Sequence, residues 1–380
     1  MSRLSPYLGL LFALIVGAVA VILSNAAAIV PVAPATAPQA ASSTVSVVPA
    51  VPEPPASPAT TTQKAAVPEK KAPSPVKVAA PSPAPVVQEP VPAATSTPPA
   101  LSGNAALDAA ATALRAALVN IMCYATAGSN LHSISGSGVF VDSKGIIITD
   151  AHVAQYLLLA DRGVSCTIRT GSPAADAYKV ALIYISPAWV HANPSVLIQA
   201  TPTGTGEYDF AFLAVTKSAT AAPLPASFPS LPIAALPPAV SAPVVIASFG
   251  AQFLQSSQIQ SDLFPTVVFG SVKDVFTFGT NTVDVLALGG SAAAQEGSSG
   301  GGVADASGSL IGMITTSTVS GATATRSLSA VTASYIRSEY SREMGTPLDA
   351  LLSEPTAVSV ADFAPQIPAL ESILTADLSQ

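Results

Sequence analysis

Apolar and polar positions divide the chain into three regimes. From Tyr7 to Leu23 there is no charge, and the run Leu8-Gly9-Leu10-Leu11-Phe12-Ala13-Leu14-Ile15-Val16 continues through small residues to Val30. Such a run is long enough to cross a bilayer as a helix. Arg3 is the only charge before it, so the positive-inside tendency places residues 1–6 in the cytoplasm. A cleaved signal peptide is the competing reading, because Ser24-Asn25-Ala26 fits a small-x-small cleavage site. The run is long for a signal h-region, so an anchor over residues 7–30 is expected. Either reading exports the rest of the chain.

The second regime, residues 31–102, has no periodicity. It holds about half of the chain's 35 prolines, as in Pro52-Glu53-Pro54-Pro55 and Pro81-Ser82-Pro83-Ala84-Pro85. Proline removes backbone donors and blocks helices and central strands. An extended linker with no core of its own is expected, reaching roughly 3 Å per residue where it is stiff.

The third regime begins with a helical pattern over 105–118, with Leu107, Ala111, Leu114 and Leu118 on one face and Asn104 as N-cap. Short β-type runs follow, separated by Gly, Ser, Pro and Asn: 119–123, 139–141, 180–184, 210–215, 244–247, 266–269 and 283–288. Many short strands with turn signals between them indicate an all-β barrel or sandwich. A helical pattern returns over 333–343, and the last residues, 343–380, read as a tail.

Composition excludes some classes of function. Only 10% of the residues are charged and the net charge is -7, so no basic footprint for nucleic acid is visible. The two cysteines, Cys123 and Cys166, flank His152 and lack metal-ligand spacing to a second Cys or His. They read either as a disulfide, favoured in an exported domain, or as two buried thiols. No metal or cofactor is called for.

Three segments carry candidate chemistry: Thr149-Asp150-Ala151-His152-Val153, Asp209-Phe210-Ala211-Phe212-Leu213 and Gly297-Ser298-Ser299-Gly300-Gly301. A serine hydroxyl is a poor nucleophile at neutral pH. It needs an imidazole to take its proton and a carboxylate to hold that imidazole in the right tautomer. Ser299 is the candidate nucleophile, with glycines on both sides that let the backbone turn and a substrate approach. His152 directly follows the apolar run Ile146-Ile147-Ile148, where a strand end fixes a side chain facing a cleft. His132 and His191 read as solvated loop residues. Asp209 opens an apolar strand and needs a partner if buried; Asp150, Asp161 and Glu207 are the competing carboxylates. With burial and a carboxylate pulling the imidazole in opposite directions, the activity should rise with pH through about 6 to 7.5.

These segments, with Gly136-Ser137-Gly138-Val139-Phe140-Val141-Asp142 before His152 and Leu310-Ile311-Gly312-Met313-Ile314-Thr315 after Ser299, resemble the trypsin-like serine peptidases, and most closely their bacterial HtrA/Deg branch. Gly297 to Gly301 resembles that branch's Gly-Asn-Ser-Gly-Gly signature. The resemblance spans roughly residues 104 to 340. Two departures stand out: Ser298 replaces the usual Asn or Asp, and Gly302 replaces the usual Pro.

The resemblance implies two packed six-stranded antiparallel β-barrels over residues 103–342 with the cleft between them. It implies a His152–Asp209–Ser299 triad and an oxyanion hole from the N–H groups of Gly297 and Ser299. It puts Ala293, six residues before the nucleophile, at the base of the primary pocket, where alanine would favour small or medium apolar side chains. The tail is too short for the PDZ domain that many HtrA-type proteins carry. Relatives often trimerise, which leaves an oligomer open. The expected activity is hydrolysis of protein or peptide substrates through an acyl-enzyme, by an extracytoplasmic endopeptidase held at the membrane. The alternative is a protease-fold binding or scaffolding module with a poorly assembled triad.

Overall fold

The computed structural model describes residues 103–126, 131–199 and 204–378. The expected anchor (7–30) and the expected linker (31–102) lie outside the described residues. Among the described residues, no helix is long and apolar enough to cross a membrane.

The first helix, α1, runs Gly103–Ala117. It begins before Asn104, so that residue sits in its first turn and does not cap it. Leu118 already belongs to a strand. Ala110, Leu114 and Ala117 form its buried face.

Strands β1 (Leu118–Tyr124), β2 (Ile134–Asp142), β3 (Ile146–Thr149), β4 (Ser165–Gly171), β5 (Ala174–Ile185) and β6 (Ala211–Ser218) close into a barrel in the order β1-β2-β3-β6-β5-β4. Every residue of β3 is fully buried, and so is β6 from Ala211 to Ala214. An antiparallel strand normally alternates between core and solvent. Here helix Thr356–Phe363 covers the outer side of β5 and β6, which gives β6 an apolar face on both sides. In β1 and β4, Cys123 stands directly opposite Cys166, and the two are joined in a disulfide.

The second half holds β7 (Pro243–Ser248), β8 (Thr266–Ser271), β9 (Asp274–Phe276), β10 (Val285–Ala287), β11 (Gly302–Ala304), β12 (Leu310–Ser317) and β13 (Leu328–Thr332). They form one sheet in the order β8-β7-β11-β12-β13-β10-β9. This corrects the expectation of a second closed six-stranded barrel: the sheet is a seven-stranded half-barrel with two edges. Its edge strands β8 and β9 are consecutive in the chain, separated only by Val272 and Lys273. The N–H of Val272 bonds Ala242 O at 3.0 Å and that of Lys273 bonds Ala287 O at 2.8 Å. One chain segment thus supplies both end strands of the sheet, bonding toward β7 on one side of the bend and toward β10 on the other.

Helix α2, Ala333–Met344, starts where Thr332 Oγ1 accepts the Tyr335 N–H and stops at Gly345 in the left-handed region. Its Glu343 accepts hydrogen bonds from Tyr184 Oη and from Ser186 Oγ in the first half. The segment expected as a tail is folded into helices α3 (Leu348–Ser353), α4 (Thr356–Phe363) and α5 (Ile367–Leu378). Leu348, Leu351, Phe363, Leu370 and Leu374 are buried in the same core as the first barrel.

Candidate active site

His152 sits in a single helical turn, Ala151–Ala154, that follows β3 immediately. The buried strand fixes the backbone, while the ring remains 23% exposed. Asp209 lies just before β6, the strand paired with β3 through Thr149↔Ala211. That register brings the two side chains together. His152 Nδ1 lies 2.7 Å from Asp209 Oδ2, and the His152 backbone N–H donates to Asp209 Oδ1 at 2.9 Å. Thr315 of β12 donates its hydroxyl to Oδ2 at 3.1 Å. Both carboxylate oxygens are occupied, and Nδ1 is fixed as the protonated nitrogen facing Asp209, which leaves Nε2 to face outward as a base.

The Ser299 loop is held from the other half of the molecule. Ser137 on β2 donates its N–H to Ser299 O at 2.7 Å and its hydroxyl to Gly297 O at 2.8 Å. Ser137 Oγ in turn accepts the Phe249 N–H at 2.8 Å, and Ser137 O accepts from Thr149 Oγ1 at 2.7 Å. A side chain at Gly300 would lie 2.0 Å from Ser137 O and 2.4 Å from Thr149 Oγ1, and φ there is +83°. Only glycine lets the nucleophile loop reach the strand that presents His152.

The oxyanion arrangement rests on Gly297. Ser298 N–H bonds back to Gln295 O at 3.2 Å, and Gly297 takes φ +87°. This is a turn whose third position favours glycine. The N–H groups of Gly297 and Ser299 donate to no group among the described residues. Free, fixed donors flanking a hydroxyl suit a developing negative oxygen. No hydrogen bond joins Ser299 Oγ to His152 among the described residues; such bonds are often long in free enzymes and tighten when substrate binds.

Of the competing carboxylates, Asp161 is exposed and Glu207 is half-buried. Asp150 is fully buried, and neither of its oxygens has a hydrogen-bond partner. Its Oδ2 lies 3.7 Å from His152 Nδ1. Burial, and after it the charge of Asp209, pushes the Asp150 carboxyl well above the usual carboxylate range; His152 and the Gly300 amide pull the other way. That amide is already donated to Ile314 O at 2.8 Å. For His152, burial pulls the pKa down. The charge and hydrogen bond of Asp209, with a smaller push from Asp150, outweigh it and carry the pKa from 6.5 to about 9.

Ligand atoms of Asp150, His152 and Asp209 lie within 4.8 Å of one another. The 2.7 Å separation of Nδ1 and Oδ2 is a hydrogen-bond length. The cluster is therefore a proton-holding arrangement, with Thr315 as its third donor.

The remaining expected positions fall as follows. His132 and His191 are exposed. Ala293 is fully buried in the second core beside Leu328 and Val244. Ser298 is buried, and its hydroxyl accepts from Ser248 Oγ at 3.1 Å. Gly302 faces Leu114 of α1: a Cβ there would lie 2.7 Å from Leu114 Cδ1. Sequence reading missed Ser137 and Thr315 as site residues, although both stand inside the motifs that carry the family resemblance.

Residues 136–313 match the family model described as the trypsin-like peptidase domain. No curated protein matches the sequence. Among solved structures, the active form of the Rv3671c protease from M. tuberculosis is matched at 20% identity and a TM-score of 0.39, over 68% of this chain and 94% of that one. The inactive form of the Rv3671c protease is matched at 18% identity and a TM-score of 0.40, over 67% of this chain and 99% of that one.

Proposed function

We propose, from the premise that this chain carries a trypsin-like peptidase domain of the serine-protease class, that it is a membrane-tethered extracytoplasmic endopeptidase of the HtrA-like branch. Ser299 is the nucleophile, His152 the general base and acid, and Asp209 the orienting carboxylate. The observation that carries this reading is the paired contact of His152 with Asp209, through Nδ1 at 2.7 Å and the backbone N–H at 2.9 Å. It fixes tautomer and ring orientation together.

In the reaction, Ser299 Oγ attacks the peptide carbonyl carbon while His152 Nε2 takes its proton. The carbonyl oxygen, now negative, accepts from the N–H groups of Gly297 and Ser299. The imidazolium, stabilised by Asp209, then protonates the leaving amine, and the acyl-enzyme is hydrolysed by water with His152 again acting as base. The apolar run over 7–30 and the proline-rich stretch after it support a tether that holds the domain outside the cytoplasm.

A second reading, a protease-fold binding module, is favoured by the missing hydrogen bond between Ser299 and His152. A fluorophosphonate probe separates the two, because only an assembled triad reacts. Labelling that is lost in Ser299→Ala supports the peptidase. An unlabelled wild-type protein that is folded supports the binding module.

A further inference from the structure

Arg326 ends the loop between β12 and β13 and is only 5% exposed. Among the described residues it pairs with no carboxylate. Its guanidinium instead donates to neutral acceptors: Nε and Nη2 to Gly321 O at 3.0 and 2.8 Å, and Nη1 to Ala294 O at 2.7 Å and to Gln252 Oε1 at 2.6 Å. Of five N–H groups these bonds use four, and the second N–H of Nη2 is left over. Neutral acceptors satisfy donors but leave the charge. A buried charge without a counter-charge is costly.

The position of this charge gives it a use. Ala294 lies five residues before Ser299. The segment that contains it packs against the Arg326 loop so closely that a Cβ on Gly290 would lie 2.2 Å from Ala324 O. The same loop continues from β12, whose Thr315 holds Asp209. The guanidinium thus joins the segment that leads to Ser299 with the loop that follows Thr315. Two of its neighbours border solvent. Gln252 is half-buried and also donates its amide to Val319 O at 2.8 Å, and Phe253, whose ring centre lies 5.6 Å from the guanidinium carbon, is 64% exposed. The Gln252 Oε1 position is where a carboxylate oxygen would replace a neutral one, with the spare Nη2 N–H for its second oxygen.

We propose that Arg326 is a specificity-determining residue, and that it selects substrates with an acidic side chain, Glu or Asp, immediately before the cleaved bond. The proposal rests on the peptidase reading above. It names an acidic preference where the residue type of Ala293 leads to an expectation of small or medium apolar side chains. A carboxylate entering this site supplies the missing counter-charge through charge-assisted bonds, which a neutral isostere cannot do.

The test uses the full chain and three peptidyl phosphonates that differ only in the side chain before the reactive phosphorus: Glu, Gln or Leu. A plain fluorophosphonate serves as reference. Labelling of Ser299 at least about tenfold faster by the Glu probe than by the Gln probe supports the proposal. Arg326→Gln should remove that advantage while the plain fluorophosphonate still labels Ser299. Should that variant fail to fold, the wild-type Glu-to-Gln ratio decides alone. Equal or faster labelling by the Gln or Leu probe overturns the proposal and leaves the peptidase reading standing. A Glu preference that persists in folded Arg326→Gln removes Arg326 as its cause. A folded wild-type protein that no probe labels, the plain fluorophosphonate included, overturns both readings.

Discussion

Ser137 Oγ donates to Gly297 O at 2.8 Å, so a residue of the first barrel fixes the carbonyl of the residue whose amide heads the proposed oxyanion hole. The same hydroxyl accepts the Phe249 N–H at 2.8 Å. One buried oxygen therefore sets the distance between the two halves at the point where the reaction takes place.

Ser137→Ala should consequently lower kcat/KM by about 10- to 100-fold, since it leaves Phe249 N–H and Gly297 O without partners at about 1–3 kcal/mol. The backbone bond from Ser137 N–H to Ser299 O remains, so the protein should still fold. Steady-state kinetics beside a denaturant melt checks this. Unchanged kinetics would show that the hydroxyl does not position the loop.

Activity should need alkaline conditions. The base is the neutral imidazole, and the His152 pKa stands at about 9, raised from 6.5. The rising limb of kcat/KM should centre there, above the 6 to 7.5 that the sequence suggests. Stability should move the opposite way. The folded-state pKa is raised, so the contribution of this group to folding is full below 6.5 and fades as pH rises through about 9. A pH–rate profile and a melting series over the same range measure the two trends. A limb centred near 6.5 would mean that burial cancels the pull of Asp209.

The two carboxyl groups near His152 should behave very differently. Asp209→Asn should lower kcat on the order of 10⁴-fold, because the amide favours the wrong tautomer. Asp150→Asn should change it by less than about tenfold, because Asp150 makes no hydrogen bond to the imidazole and stands 3.7 Å from Nδ1, whereas Asp209 holds Nδ1 directly. The reverse ranking would make Asp150 the orienting group.

Gly302→Ala should destabilise the fold by about 1–3 kcal/mol, because its new methyl would lie 2.7 Å from Leu114 Cδ1, 2.9 Å from Val139 Cγ2 and 3.0 Å from Leu310 Cδ1. All three neighbours are side-chain atoms, so room can be made. Adding Leu114→Ala should make the pair less destabilised than the sum of the single variants, by about 1 kcal/mol. Strict additivity in urea melts would show that Leu114 is not the obstacle.

The outline of this site was legible because each of its three segments carries a local signature. His152 follows three isoleucines, Asp209 precedes an apolar strand, and Ser299 sits among glycines. What failed to show was anything set by contacts distant in sequence. The Ser137 hydroxyl is read only by Gly297 and Phe249, more than a hundred residues away. Asp150 reads as one more competing carboxylate until the fold buries it without a hydrogen-bond partner. Arg326 looks like one more loop cation until Ala294 and Gln252 surround it. The second half was expected as a closed barrel because the family resemblance implies one. The bend at Val272 and Lys273, where one segment passes from β8 at one end of the sheet to β9 at the other, has no marker in residue type. The last helices were missed for a similar reason: their apolar residues face the first barrel, and no periodic run announces that face.

Those last helices decide how the molecule can be divided. Phe363, Leu370 and Leu374 are buried in the same core as β3 and β6, and Arg162 beside the first barrel forms an ion pair with Glu371. At the other end of the described chain, Leu114 rests on Gly302, three residues from Ser299. A fragment cut at residue 342, where the family resemblance fades, would strip the lid from the barrel that carries His152 and Asp209. A fragment starting beyond 117 would withdraw the wedge under the nucleophile loop. A piece expected to keep its shape in a test tube therefore includes both α1 and the helices through α5.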